Sequence, residues 1–287
     1  MIKIDVVCPL YQADGYIENL IDNIKMQDGV ILDNVVFAIT EIGDTSFVKE
    51  KILEAGFSFF SVEKEDFSHS LTRQKAVFEY CSSDVVIMIS QDVVLCQSDA
   101  FYELAKNVNS RVVYAYGKQI CRKKNIEYYI RKKNYGEKTE FVSAEDIDRL
   151  QLKAFFASDA FAAYYRPVFI ELNGYDDIPM MMSEDMYYSK KILEAGYQKG
   201  YIATAVVEHS HKFSLKQLYN RYYQTGIWFR EHPEFDNYKT TDTGLKLAFY
   251  VLGQALKHFN IPVLFRWLPD MTARYLGMKK GKKIVKK

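Results

Sequence analysis

Apolar and polar positions fall into two alternating rhythms over the first 117 residues. A continuous apolar run at Ile2–Cys8, broken by Pro9, predicts a buried strand. A helix capped near Asp14 follows, with Ile17, Leu20, Ile21 and Ile24 on one face. Further strands are predicted at Asn34–Thr40, Phe57–Val62, Asp84–Ser90 and Arg111–Gly117. The intervening helices end at Gly56, run from a cap at Ser70 through Phe78, and start from Ser98 or Asp99. Strands alternating with helices mark a parallel sheet. Near-identical segments KILEAGF (51–57) and KILEAGY (191–197) recur without other similarity around them, so they read as one helix–stop–strand device used twice.

Beyond Gly117 the pattern changes. Between Lys118 and Arg149 it loosens around a basic cluster, Lys118, Arg122, Lys123, Lys124 and Arg131–Lys133, which reads equally as a solvated, mobile loop or as a phosphate holder. Apolar character returns from Leu152 and turns at Asn173–Gly174. After residue 211 the chain is helical, with Leu215, Leu218, Tyr219, Tyr222 and Tyr223 on one face and Leu245, Ala248, Leu252, Ala255 and Phe259 on another. The chain ends in MKKGKKIVKK, six lysines and no acid. The expected layout is one catalytic domain over 1–212, divided at 117/118, with helices and a basic tail over 213–287.

Composition narrows the function classes. With 38 basic and 37 acidic residues among 287, the net charge of +1 gives no global sign of nucleic-acid binding. Cys8, Cys81, Cys96 and Cys121 lack a C-x-x-C spacing and sit in or beside predicted elements, which points to reduced thiols and a cytoplasmic chain. No apolar run approaches the length of a membrane span, and the first residues lack a cleavable-signal layout.

The stretch from Ser183 to His211 carries the densest chemistry. Ser183 reads as a helix cap, Glu184 and Asp185 fall in the first helical turn, where the dipole favours negative charge, and Gly196 suits the left-handed stop. A strand over Tyr201–Val207 then releases Glu208, His209 and His211 at its end, the kind of sheet edge where open α/β folds bind ligands. Asp92, delivered with Gln91 by a strongly apolar strand, is a sensible hard-oxygen metal ligand.

In order along residues 4–230, the opening strand with Cys8-Pro9-Leu10-Tyr11, FSHSLTRQKA (67–76), Gln91-Asp92, Tyr116-Gly117-Lys118-Gln119, Asn134-Tyr135, FFASDAFAAYYR (155–166), Ser183-Glu184-Asp185 and His209-Ser210-His211 form a recognisable set. With these the chain resembles the family 2 inverting glycosyltransferases of the GT-A fold, and among them the bacterial rhamnosyltransferases that use dTDP-L-rhamnose. Two departures stand out. The family's Asp-x-Asp is Ser90-Gln91-Asp92 here, and its Asp-rich turn after the second strand is Thr40-Glu41-Ile42-Gly43-Asp44.

The resemblance implies an α/β GT-A domain that transfers L-rhamnose to a saccharide or lipid-linked saccharide in cell-surface polysaccharide synthesis. Its departing diphosphate needs a divalent metal, Mg²⁺ or Mn²⁺, on Asp92 with His209 or His211. Asp185 is the expected base for the acceptor hydroxyl, with Glu184 ordering the helix start or binding acceptor hydroxyls. Pro9 and Tyr11 can stack on the base, Glu41 or Asp44 accept from its ring N–H, and Arg73 offers a fork for phosphate. Gln91, Lys118 and Gln119 face the sugar or pyrophosphate, and Asp159 the sugar hydroxyls. A UDP-hexose donor, and a non-catalytic saccharide-binding or scaffold protein, are the competing readings. The C-terminal helices and lysines suit an anionic membrane surface, or a hairpin packed on the catalytic domain or a homodimer partner.

Overall fold

The apolar runs of the N-terminal half become the centre of a single mixed sheet. In the computed structural model, which describes residues 1–239 and 241–283, its strands are β1 (Ile2–Leu10), β2 (Val30–Glu41), β3 (Ser58–Glu63), β4 (Val85–Ile89), β5 (Val94–Leu95), β6 (Val112–Ile120), β7 (Glu140–Val142), β8 (Phe161–Tyr165) and β9 (Gln198–Glu208). Their order is β3-β2-β1-β4-β8-β6-β9-β5, with β7 on β9. The first four run parallel and β8 is antiparallel to β4. The helices are α1 (Ile17–Lys25), α2 (Ser46–Glu54), α3 (His69–Glu79), α4 (Ala100–Ala105), α5 (Ile126–Asn134), α6 (Ile147–Leu150), α7 (Arg166–Glu171), α8 (Glu184–Glu194), α9 (Leu215–Glu231), α10 (Thr241–Lys257) and α11 (Ile261–Lys283).

By contacts the chain falls into two units. The first is Met1–Gln119, Glu137–Asp146 and Phe155–His209; the second is Ile120–Gly136, Ile147–Ala154 and the chain from Ser210 onward. All nine strands belong essentially to the first, whose core gathers Val6, Phe37, Ile87, Phe101, Phe161 and Val207 with the predicted α1 face Ile17, Leu20, Ile21 and Ile24. Residues 284–287, including the last two lysines of the basic tail, lie outside the described residues.

The twin KILEAG segments do the same thing twice. Gly56 and Gly196 adopt φ +78° and +87°, which lets the next residue's N–H reach back over the last turn: Phe57 donates to the Ile52 carbonyl and Tyr197 to that of Ile192. Each helix is thereby stopped and turned straight into a strand.

Several local expectations are corrected. Pro9 does not end β1, because pairing with β4 stops at Val7 and only β2 continues beside Pro9 and Leu10, an edge-like position that tolerates a missing N–H. Ser68, not Ser70, caps α3, its Oγ accepting from the Leu71 N–H. Ser183 precedes α8 with φ +62° and makes no side-chain capping bond. Part of the loosened basic stretch is the helix α5, capped by Asn125 and burying Ile126, Tyr129 and Ile130, its last-turn Arg131, Lys132 and Lys133 complementing the dipole. The predicted face of α10 is rotated, with Val251 and Ala255 buried while Leu245 and Phe259 are exposed; in α9, Leu218 is buried and Tyr219, Tyr222 and Tyr223 are half-buried as the predicted face requires, Trp228 and Phe229 are buried as well, and Leu215 is exposed.

In the second unit, α9 and α11 approach at backbone distance. A side chain at Gly281 would run into the Tyr223 carbonyl, one at Gly277 into that of Tyr219, and one at Gly226 into that of Met278. Arg274 of α11 ties the same unit together, donating to Glu127 of α5 at 2.7 Å, Asp270 at 2.6 Å and the Tyr222 hydroxyl of α9 at 2.7 Å. Burial works against its charge, but Tyr222, Glu127 and Asp270 more than offset this and raise its pKa. Gly281→Val is expected to destabilise this unit by about 2 kcal/mol or more, as overpacking against backbone does; an unchanged thermal unfolding profile would contradict the close approach.

Candidate active site

Helix α3 is built unlike an ordinary sheet-covering helix, because its inward face is polar. Ser70, Thr72, Arg73 and Gln74 are all buried. These groups hold the segment from Tyr175 to Glu184. The Ser70 Oγ donates to the Ile178 carbonyl at 2.6 Å and accepts from the Met180 N–H at 2.7 Å. Gln74 accepts from the Tyr175 N–H at 2.7 Å and donates to Asp177 at 2.6 Å. Arg73 donates to Glu184 Oε1 at 2.9 Å, with both side chains under 10% exposed. The segment so held contains Asp176, Asp177 and Ser183 at φ +57°, +56° and +62°, a left-handed conformation that non-glycine residues seldom adopt unsupported.

Its product is the placement of Asp185, half-buried in the first turn of α8 with Oδ1 accepting from the Met186 N–H at 2.7 Å. Burial, then the charges of Glu184 and Asp159, push the Asp185 carboxyl well above its ordinary value, against the smaller pull of that N–H and of Arg73. A carboxyl so raised is a stronger base once ionised. Burial also works against the Arg73 charge, yet Glu184 and Asp159 outweigh it and the guanidinium stays protonated.

Beneath this pair lies Asp159, only 2% exposed. It accepts from the hydroxyls of Tyr114 at 2.8 Å, Tyr164 at 2.5 Å and Tyr175 at 3.0 Å. The structure thus places Asp159, expected at the sugar hydroxyls, as the buried centre of a tyrosine cage. Its pKa is raised, chiefly by burial. Tyr188 closes the cage, packing against Tyr114, Tyr164 and Tyr175.

A second group forms at the carboxyl ends of β1, β2 and β4 and the end of β9, where open α/β sheets take ligands. His209 Nε2 lies 3.4 Å from Asp92 Oδ1, and its Nδ1 is 2.9 Å from Gln119 Oε1. Gln119 is itself fixed by donating to Ser158 Oγ at 2.7 Å. With Nδ1 donating to Gln119, Nε2 turns its lone pair toward Asp92, and two acceptors facing each other repel unless a cation intervenes. Two ligand atoms each about 2.1 Å from one ion stand about 3.0–3.4 Å apart, so the spacing fits a shared divalent metal. His211 is two residues farther along, within about 7 Å of His209 by chain geometry alone.

The remaining expected donor contacts are already engaged with their own chain. Gln91 clasps the backbone of Tyr11, accepting from its N–H at 2.7 Å and donating to its carbonyl at 2.9 Å, which leaves the Tyr11 ring 47% exposed. Pro9 lies within β1, one residue short of its end. Glu41 receives Lys49 at 2.6 Å, Thr45 at 2.8 Å and the Ser61 hydroxyl; Lys49 first among them pulls its pKa down to about 2. Asp44 accepts from Ser46 at the start of α2, and the Ser46 hydroxyl first, then its N–H at 2.9 Å, lower the Asp44 pKa. Lys118 meets Glu137, which is 85% exposed, so the pair is weak and readily exchanged for another anion. A narrow cleft lined by Leu10, Ala13, Ile39, Thr40 and Asp44 opens between β1 and β2, with the buried Thr40 hydroxyl making no hydrogen bond among the described residues.

The two groups share a neighbour. Burial raises the pKa of the Cys8 thiol, and on it act both the Arg73 guanidinium, pulling it down, and the Asp92 carboxylate, pushing it up. Sequence reasoning overlooked Ser70, Gln74 and Lys199. The last is buried, donates to the Phe156 carbonyl at 2.5 Å, and has its pKa brought down by burial to about 7 despite the opposing charge of Asp185. A lysine at an inward position of a strand was its one signal.

No protein-family model matches the chain. The O-antigen chain rhamnosyltransferase RfbN of Salmonella typhimurium (strain LT2) is 32% identical over 98% of this chain and 90% of its own. WbaN of Salmonella anatum, also an O-antigen chain rhamnosyltransferase, is 32% identical over 77% of this chain and 71% of its own. Among solved structures, the mannosyltransferase PcManGT from Pyrobaculum calidifontis, in complex with GDP-Man and Mn²⁺, superposes with a TM-score of 0.62 at 13% identity, covering 97% of this chain and 86% of that one. S. aureus TarS 1-349 in complex with UDP-GlcNAc gives 0.57 at 11% identity, over 97% and 91%. Likeness at such low identity concerns the fold, which is the GT-A fold expected from the sequence.

Arg73→Met, which strands the Glu184 carboxylate in a buried site, is expected to cost about 3–5 kcal/mol of stability. Arg73→Met/Glu184→Met should recover a large part of it. If the double substitution is as unstable as the sum of the singles in denaturant unfolding, the two side chains are not coupled.

Proposed function

The chain belongs to the family of O-antigen chain rhamnosyltransferases, and from that membership we propose that it moves L-rhamnose from dTDP-L-rhamnose to a saccharide acceptor with inversion. The observation that carries the catalytic part is Asp185, a half-buried carboxyl with a raised pKa at the start of a helix whose preceding segment is locked by α3. As the acceptor oxygen bonds to the anomeric carbon, its proton passes to an Asp185 carboxylate oxygen. The bond from that carbon to the diphosphate breaks on the opposite side, and its electron pair leaves with the diphosphate. No covalent sugar–enzyme intermediate is needed.

Glu184 and Arg73 act as positioning residues, the ion pair fixing where Asp185 points. At the donor end, Asp92 and His209, with His211 nearby in the chain, are the residues to hold Mg²⁺ or Mn²⁺, which when bound would neutralise charge on the diphosphate. Gln119 keeps His209 in the required orientation. Lys118 exchanges Glu137 for a phosphate oxygen. Tyr11, just past the end of β1, and Asp44 are the residues to meet the pyrimidine. A lipid-linked saccharide as acceptor, and a cytoplasmic place at the inner face of the plasma membrane with the C-terminal lysines turned toward it, complete the proposal.

Asp185→Asn is expected to fold normally and lose nearly all transfer; retention of more than about a tenth of the rate would remove Asp185 from the role of base. The base must be ionised, so kcat should fall as pH drops through the Asp185 pKa, with the acid limb lying above the ordinary carboxylate range. A limb at the ordinary value would speak against it. Donor choice is tested by thermal shift with Mn²⁺ and a panel of nucleotide sugars. The largest stabilisation is expected from dTDP-L-rhamnose, and a larger one from UDP-glucose or UDP-galactose would transfer the chain to the UDP-hexose reading.

A further inference from the structure

Helices α10 and α11 of the second unit are each apolar on two faces. One face of each is inside, where Val251 and Ala255 meet Val263, with Tyr250, Trp267 and Met271 half-buried around them. The other face is outside. On α10 it runs through Leu245, Phe249, Leu252 and Leu256, at steps of four, three and four residues that keep one line along a helix. On α11 it runs through Ile261, Phe265, Leu268 and Tyr275, at steps of four, three and seven. All of these are exposed except Leu252, which is half-buried. Phe259, between the two helices, is 86% exposed and Phe265 82%. Phe259 also holds φ +47°, a left-handed conformation that a bulky residue seldom adopts. A water-soluble surface rarely presents so continuous an apolar patch without something to cover it.

Charge on the same helices selects what covers it. From Leu245 to Lys283 the chain has six lysines and two arginines against a single acid, Asp270, which is buried and paired with Arg274. All six lysines are exposed. Apolar side chains flanked by an excess of cations, of which Lys282 faces Asp236 at 3.6 Å, match the interface of an anionic bilayer, where the former enter the acyl boundary and the latter meet lipid phosphates. A second copy of the chain would press like charges together.

We propose that the outer faces of α10 and α11 dock the enzyme on an anionic lipid bilayer, the apolar line through Phe249, Phe259 and Phe265 entering the membrane and the lysines resting on its phosphates. This deepens the membrane placement proposed above and assigns the anchoring to the helices rather than to the terminal lysines alone. It holds the enzyme in the plane in which a lipid-linked acceptor diffuses.

The test is co-sedimentation of the full chain with vesicles of phosphatidylcholine alone or with phosphatidylglycerol. Binding is expected only to the phosphatidylglycerol vesicles, and Phe259→Ser/Phe265→Ser should weaken it by about 10-fold or more while leaving the melting temperature in place. Equal binding by the wild type and this variant overturns the proposal. So does a wild type that ignores both vesicles and sediments as a dimer which the variant dissociates, an outcome that would assign the face to a second copy. Transfer to a water-soluble acceptor should be the same in both chains. Membrane binding without any sugar transfer would sink the rhamnosyltransferase reading and leave the docking surface standing, whereas transfer without binding would do the reverse.

Discussion

One buried ion pair carries the arrangement, that between Arg73 of α3 and Glu184 at the start of α8. Such pairs contribute little net stability, because desolvating both charges offsets most of their attraction, but losing one partner is severe. Its value here is positional. The loop before α8 includes three left-handed non-glycine residues and therefore would not choose its path unaided. The polar face of α3 supplies the missing instructions, with Ser70 and Gln74 fixing the loop backbone and Arg73 fixing the first carboxylate of the helix.

Electrostatics around that pair then set the chemistry. Arg73 is one positive charge beside three carboxyl groups, Glu184, Asp159 and Asp185. It cannot neutralise all three, and burial first, then the neighbouring carboxylates, raise the pKa values of Asp159 and Asp185. Asp159 is sheltered by three tyrosine hydroxyls, and Arg73, then Tyr164 and Tyr114, lower its pKa against the larger effect of burial. Asp185, half-buried and with one backbone N–H, has less such help and is the group left with unsatisfied basicity. In the proposed mechanism, adjacent acids in one sequence motif thus take different tasks: Glu184 positions, and Asp185 accepts the proton.

What the sequence made legible follows from which interactions are local. Strand and helix alternation, the α1 core face and the twin KILEAG stops depend on short-range periodicity and a glycine, and the structure repeats them with shifts of a few residues at the ends. The carboxylates of Glu184 and Asp185 were visible because adjacent acids in a first helical turn are conspicuous. The partnership of Arg73 with Glu184 was not, since it joins positions 111 residues apart and an arginine beside a helix start reads just as well as a phosphate fork. The surroundings of Asp159 were hidden for the same reason, its tyrosines coming from β6, β8 and the loop after α7. Helix α5 hid because three apolar positions were swamped by lysines and arginines in a scan for charge.

The donor end shows how the departure at Ser90 is accommodated. With a serine in place of a first carboxylate, Asp92 is left as one oxygen ligand type, too little charge and too few atoms to hold a divalent ion firmly. Its neighbour cannot substitute, because Gln91 must both donate to and accept from the Tyr11 backbone, which a carboxylate cannot do. In the proposed site the deficit is met from β9 instead. His209 comes within 3.4 Å of Asp92, and Gln119, fixed by Ser158, selects which ring nitrogen faces it. Replacing an anionic ligand by a neutral imidazole shifts the preference from Mg²⁺ toward Mn²⁺, the more tolerant of nitrogen.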